Sequence, residues 1–288
     1  MSVWFITGAS RGLGRSITKA AIAAGHTVVA TARKPSTLDG LGAADTLALD
    51  VTDQASVDTA IATTLAKHGR LDVVVNNAGY ANVAPIETMD PTDFRAQVEA
   101  NFFGTVAVTR AVLPTLRTQG AGHILQISSI GGRAGAPGVS AYQSAKWAVE
   151  GFSEVLAVET APFGVKVTIV EPGAMRTDWA GSSMEIANLP EEYVPTVGQI
   201  AEHLRTVNGS EPIDPDKAAE AIVHITEVDD PPLRLLIGSD AAGIAAGVSH
   251  RRAAEDAKWD ALSRSVNYAG ASTSEWRNAS TLADSYNH

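Results

Sequence analysis

A chain of 288 residues, 45% of them apolar, can bury a large core, and its length suits one domain or two. It has no cysteine, which excludes disulfides, thiol chemistry and cysteine-ligated zinc, and its net charge of −10 argues against a nucleic-acid partner. No apolar run reaches the roughly 18 residues of a membrane-spanning helix, and the N-terminus lacks the basic-then-apolar pattern of a secretory signal, so a cytoplasmic protein with no membrane partner is expected.

The chain opens on Ser2-Val3-Trp4-Phe5-Ile6, an apolar run of strand length. Thr7-Gly8-Ala9-Ser10-Arg11-Gly12-Leu13-Gly14 follows, then a helical pattern with Leu13, Ile17, Ala20 and Ala21 on one side. This is strand, glycine turn, helix. Glycines admit positive φ and close backbone approach, and the N–H groups and positive dipole end of a new helix suit a phosphate. The spacing G-x-x-x-G-x-G is a variant of the G-x-G-x-x-G dinucleotide fingerprint. A tight turn without a ligand would use the same residues.

Strands are predicted at 2–7, 27–32, 46–50, 71–76, 122–128, 165–171 and 233–238. They are rich in Val, Ile and Leu with little alternation, as expected of strands buried on both faces. Helices are predicted at 12–24, 54–68, 91–118, 140–161 and 214–228. This alternation predicts an α/β fold: a single Rossmann-type doubly wound parallel sheet of about seven strands, with right-handed crossovers and helices on both faces. No Pro/Gly/Ser-rich linker divides residues 1–240. Residues 174–212 show no strand pattern but carry Met175, Trp179, Met184, Ile186, Leu189, Tyr193 and Val197, which reads either as a lid over an apolar cleft or as packing of that segment onto the body. Residues 241–288 form a C-terminal extension, predicted helical over 250–266 and polar at its end.

Tyr142 and Lys146 lie four residues apart, on one face of the helix predicted at 140–161. An ammonium beside a phenol favours the phenolate and lowers a pKa that is about 10 in free tyrosine. Such a phenol can give or take a proton near neutral pH. Ser129, arriving from another segment, could hold a carbonyl or hydroxyl oxygen against it. His123, His203 and His224 are scattered without ligand spacing, so no metal site is expected.

Taken together, Thr7-Gly8-x-x-x-Gly12-x-Gly14, Asn76-Asn77-Ala78-Gly79, Asn101, Ser129, Tyr142-x-x-x-Lys146 and Pro172-Gly173 resemble, in content and order, the short-chain dehydrogenase/reductase family. The resemblance covers roughly residues 2–240 and looks nearest to the branch of hydroxysteroid dehydrogenases and retinol reductases; it carries no particular substrate. It implies an oxidoreductase that reduces a ketone or aldehyde, or oxidises the corresponding secondary alcohol. In that scheme Tyr142 is the acid/base, and Lys146 tunes it and binds the nicotinamide ribose. Ser129 polarises the substrate oxygen, and Asn101 kinks its helix and serves a proton relay. The cofactor residues implied are Gly8, Ser10, Arg11, Gly12, Leu13 and Gly14 in the turn, Asp50 and Val51 at the adenine, and Asn77, Ala78 and Gly79 along the adenine ribose. Pro172, Gly173 and Thr177 serve the nicotinamide, with Tyr142 and Lys146. Asn76 reads equally as a strand-end cap.

The second strand ends in Ala32-Arg33-Lys34, where NAD users place an acid for the ribose 2′-OH. Arg33 and Arg11 instead suit a phosphate, which points to NADP (NADPH). Tyr80 and Trp147 are expected to help line a pocket for a small-molecule substrate, a bulky, mostly apolar ketone or aldehyde or the corresponding alcohol. The helix at 140–161 carries Ala145, Ala148, Val149, Phe152, Val155, Leu156 and Val158, a wider apolar girth than one stripe needs. With the helix at 91–118 it predicts a homodimer or homotetramer, as in relatives. Two other classes share part of this pattern: a non-catalytic NADP-binding regulator of the same fold, and an epimerase or dehydratase of the extended relatives.

Overall fold

Seven strands form one parallel sheet in the order β3-β2-β1-β4-β5-β6-β7: β1 (Val3–Ile6), β2 (Thr27–Ala32), β3 (Asp45–Ala48), β4 (Val73–Asn76), β5 (Gly122–Ile127), β6 (Val165–Pro172) and β7 (Arg234–Ile237). The computed structural model describes residues 1–178, 184–268 and 270–271; Trp179 and the polar end from Ser272 lie outside the described residues. The helices are α1 (Gly12–Ala23), α2 (Gln54–His68), α3 (Pro91–Val98), α4 (Gly104–Gln119), α5 (Ser140–Thr160), α6 (Gln199–Val207), α7 (Pro215–Ile225) and α8 (Ser239–Ser265). None is long and apolar enough to cross a membrane among the described residues.

The strands read as unbroken apolar runs because each of their two faces has its own core. Side chains alternate across a strand. Trp4, Ile6, Val28, Ala30, Val73, Val75, Leu125 and Val170 face one side, where Ile17 and Ala21 of α1 and Ile222 and Val223 of α7 cover them. Val3, Phe5, Val29, Val74, Ile124 and Val167 face the other, under Val57 and Ile61 of α2, Val108, Val112 and Leu116 of α4, and Leu156 of α5. The strand order reverses between β1 and β4, so the loops after these two strands part at the carboxyl edge and leave a crevice there.

Three expectations are corrected. The strand predicted at 46–50 is Asp45–Ala48, because Asp50 leaves the sheet to accept from Thr52, whose N–H and hydroxyl donate to its carboxylate at 3.0 and 2.7 Å. The single helix predicted at 91–118 is broken by a π turn at Glu99–Phe103. There the Asn101 side-chain amide donates to the Gln97 carbonyl at 2.8 Å, taking an acceptor from the helical ladder. The C-terminal helix, predicted over 250–266, starts already at Ser239. Its first turns bury Ala241, Ala245 and Val248, residues too small and too alike to show a period in sequence.

Within the segment predicted as a lid, Ile186 bridges to Val83 and Met175 to Ile213, and α6 follows short helical turns at 191–198. Met184, Ile186, Leu189, Tyr193 and Val197 pack in one cluster with Val83, Val139 and Tyr142. Met175 packs against the α1/α7 core instead.

Candidate active site

The glycine turn after β1 folds as it does because two of its residues take left-handed backbone. Gly8 has φ +65° and Gly12 φ +53°, conformations that cost other residues energy. Gly14 is required by proximity: a Cβ there would lie 2.3 Å from Asn77 Nδ2 and 2.4 Å from the Gly8 carbonyl oxygen. Asn77 Nδ2 donates to the carbonyls of Thr7 and Gly8 at 3.0 and 3.1 Å, while the N–H groups of Asn77 and Ala78 donate to Thr7 Oγ1 at 2.9 and 3.0 Å. The end of β4 is thereby clamped onto the turn. Asn76 is buried and donates to Thr109 at 3.1 Å and to Gln126 at 2.9 Å.

The first turn of α1 has no side-chain cap from Arg11, which is exposed, and Ser10, Gly12 and Leu13 beside it are half-buried. Open N–H groups on a glycine-shaped helix start fit a pyrophosphate. Arg33 is exposed at the end of β2, after the small buried Ala32. Asp50 lies within its field; the Thr52 hydroxyl, with Arg33 assisting and partial burial opposing, holds the Asp50 carboxyl below its usual range. Val51, also buried, packs on Gly104. After β6, the Gly173 N–H donates to the Ile237 carbonyl at 2.9 Å, and Thr177 comes to 3.5 Å from where a Gly12 Cβ would sit. Asp240, which no sequence motif marks, accepts from the Ala174 N–H at 2.7 Å and fills the space beside Gly173.

The chemical cluster lies at the ends of β4 and β5. Ser129 accepts from the Gly131 N–H at 3.0 Å, which fixes its turn, and its hydroxyl is near enough to that of Tyr142 to favour the phenolate. Lys146 Nζ donates to the Ile127 carbonyl at 2.7 Å and lies 5.6 Å from the centre of the Tyr142 ring. Burial pushes Lys146 down to about 8, with the Glu150 charge opposing. Burial also pushes the Tyr142 phenol up to about 12, against the Ser129 hydrogen bond. The expected lowering of the phenol by Lys146 is therefore not what this geometry produces: burial under the Met184 and Val197 cluster outweighs an ammonium held on a backbone carbonyl. A phenol so placed is a proton donor at neutral pH.

Asn101 Nδ2 also donates to the Tyr80 carbonyl at 2.8 Å, which turns Oδ1 inward. A Cβ on Gly79 would lie 2.3 Å from that Oδ1 and 3.7 Å from Lys146 Nζ, so the glycine lets both groups share one space. Ser128 faces away from this cluster, donating to Glu150 at 2.8 Å. Trp147 is engaged elsewhere: its indole donates to the Gly131 carbonyl at 3.0 Å and the Arg252 guanidinium lies 4.8 Å over its ring. His123 is buried against Thr168 within the sheet, and His203 and His224 are exposed. Glu150, one turn beyond Lys146, was not singled out from sequence, although its i+4 spacing was a usable signal.

Residues 2–187 match the model of the short chain dehydrogenases. The chain is 54% identical over 267 residues to Oxidoreductase BOA17 of Botryotinia fuckeliana, covering 91% of this chain and 97% of that protein. A solved short-chain dehydrogenase from Streptomyces avermitilis matches with a TM-score of 0.87 and 41% identity, over 93% of this chain and 99% of that one. Another, from Burkholderia cenocepacia in complex with NADP, matches with a TM-score of 0.71 and 27% identity, over 89% of this chain and 96% of that one. With its reversed sheet order and the residues gathered at the carboxyl edge, the chain belongs to the short chain dehydrogenase family of oxidoreductases.

Proposed function

We propose that this protein is an NADP(H)-dependent reductase of ketones or aldehydes, able to run in reverse on the corresponding alcohols, with Ser129, Tyr142, Lys146 and Asn101 as its catalytic set. The observation that carries this reading is the convergence of the half-buried Ser129 on the buried Tyr142 phenol, one helical turn from the buried Lys146. Nicotinamide supplies the hydride when bound. The chain supplies the rest. Tyr142 gives its proton to the carbonyl oxygen as that becomes an alkoxide, and Ser129 donates a second hydrogen bond to the same oxygen. Lys146, as the ammonium, stabilises the phenolate left behind, and the inward Oδ1 of Asn101 faces the space beside it.

Gly8, Ser10, Arg11, Gly12, Leu13 and Gly14 would hold the pyrophosphate, and Arg33 with Arg11 the 2′-phosphate. Asp50, Val51 and Asn77 to Gly79 would hold the adenosine, and Pro172, Gly173 and Thr177 the nicotinamide end. The apolar cluster around Tyr142 supports an apolar carbonyl compound as substrate. The direct test is loss of NADPH absorbance with a panel of ketones and aldehydes; no oxidation with any of them would sink the reading.

Cofactor choice has its own test. Ala32→Asp with Arg33→Ser removes a guanidinium and adds a ribose acceptor. Hydrogen bonds to charged groups contribute about 1.5–3 kcal/mol, so the NADPH/NADH ratio of kcat/KM should fall at least about tenfold. An unchanged ratio would refute the 2′-phosphate assignment.

The oligomer is also proposed. Phe103 and Val155 are exposed, and the Phe102 ring meets Phe103 at a tilt and Phe152 edge-on, giving α5 and the π turn a shared apolar face. Light scattering at micromolar concentration should show a dimer or tetramer, and Val155→Asp should shift it towards monomer. A wild-type monomer would count against a partner on this face.

A further inference from the structure

Tyr142, Lys146, Glu150 and Glu154 follow one another at four-residue spacing on α5 and make one stripe. The proposed reaction uses the first two. Glu150 is only 4% exposed, and a buried carboxylate is costly unless charge and hydrogen bonds compensate it. Both are present. Ser128 Oγ donates to Oε1 at 2.8 Å and Arg234 Nη1 to Oε2 at 2.7 Å. Arg234, from β7, also holds Glu154 and Glu171, and Arg133 donates to Glu171 at 3.0 Å. A Cβ on Gly132 would lie 2.0 Å from Glu150 Oε1, so the backbone closes on the carboxylate from the remaining side.

Lys146 is 5% exposed, and its ammonium donates to the Ile127 carbonyl. A carbonyl dipole compensates a full buried charge only in part. Around Lys146 stand Tyr142 on its own helix, the Ile127 carbonyl from β5 and the Asn101 amide oxygen across Gly79. The carboxylate that favours its charged form is Glu150. Around Glu150 stand Ser128 from the end of β5, Glu171 from β6 and Arg234 from β7. Arg133 balances Glu171 from beyond, and Arg252 of α8 lines the same cleft.

We propose that Glu150 is a positioning residue of this active site: fixed by Ser128 and Arg234 one helical turn from Lys146, its carboxylate favours the ammonium form of Lys146 beside Tyr142. This rests on the reaction proposed above. The sign follows from the charges. Without the anion, burial acts on Lys146 unopposed, and it loses its proton at a lower pH than the wild-type value of about 8. The ammonium is the form that supports the phenolate, so the alkaline fall in activity moves down with it.

The test compares Glu150→Gln with Glu154→Gln, the latter removing an exposed partner of the same arginine. Lys146 is titrated through its Cε signal in ¹³C-lysine-labelled protein, assigned with Lys146→Arg, and the alkaline limb of kcat/KM is recorded with NADPH and a carbonyl substrate. In Glu150→Gln both midpoints should fall by about one pH unit, and in Glu154→Gln both should stay in place. An unmoved Lys146 midpoint in folded Glu150→Gln, or an equal fall in Glu154→Gln, overturns the proposal. If Glu150→Gln does not fold, Glu150→Met, an apolar side chain of similar size, also deletes the anion and should give a fall in the same direction; no fall there overturns it too. A wild type that reduces no carbonyl compound, while its Lys146 midpoint still falls on Glu150→Gln, confirms the coupling and defeats the proposed reaction instead.

Discussion

Tyr142→Phe is expected to lower kcat at least about a hundredfold, the usual span of a lost general acid, with NADPH affinity nearly unchanged. The substitution removes one oxygen and keeps the ring that packs with Val139, Met184 and Val197. Its structural cost is limited to the polar contact of the phenol with Ser129, at most about 1 kcal/mol. That cost falls on stability and does not touch the glycine turn. The loss should therefore appear in kcat, as it does when an interaction made only in the transition state is removed. Rapid-quench or steady-state kinetics, with cofactor fluorescence for binding, separate the two effects. A variant that keeps more than about a tenth of wild-type kcat would lose too little, less than about 1.4 kcal/mol, for Tyr142 to be the proton donor.

Gly14→Ala is expected to weaken NADPH binding about tenfold or more and to destabilise the fold. Its methyl would sit 2.3 Å from Asn77 Nδ2 and 2.4 Å from the Gly8 carbonyl oxygen, and the second of these is backbone that cannot swing aside. Either the start of α1 moves away or Asn77 lets go of Thr7 and Gly8. Both displace the N–H groups of the turn. Overpacking of this kind costs about 1–3 kcal/mol, a fall in Tm of about 2–4 °C per kcal/mol at this size. Thermal unfolding and NADPH titration check it. Wild-type affinity and Tm together would show that the clamp tolerates a side chain and that the glycine is not needed for closeness.

Local pattern determined much of this protein. The alternation of apolar runs and helical stretches determined an α/β parallel sheet, because strands covered on both sides have no polar face to interrupt them. The glycine spacing determined the turn after β1, since positive φ at Gly8 and Gly12 is a property of those residues. The interval between Tyr142 and Lys146 placed both on one face of α5 by helical geometry alone. Other features depend on contacts between segments far apart in the chain. The π turn at Asn101 arises because its amide is shared between Gln97 and Tyr80, which no helical period announces. The upward push on the Tyr142 phenol follows from burial, to which residues some forty to fifty-five positions onward, Met184 and Val197, contribute. The early start of α8 rests on alanines that become a core only against the body. Glu150 carries no mark in sequence beyond its spacing from Lys146; only the arrival of Ser128 at the end of β5 and Arg234 from β7 makes it a buried anion one turn from Lys146. Sequence carries the periods and the backbone freedoms; what a charge or a hydroxyl does depends on its solvation, and that is decided where the strands and the segment after β6 close over it.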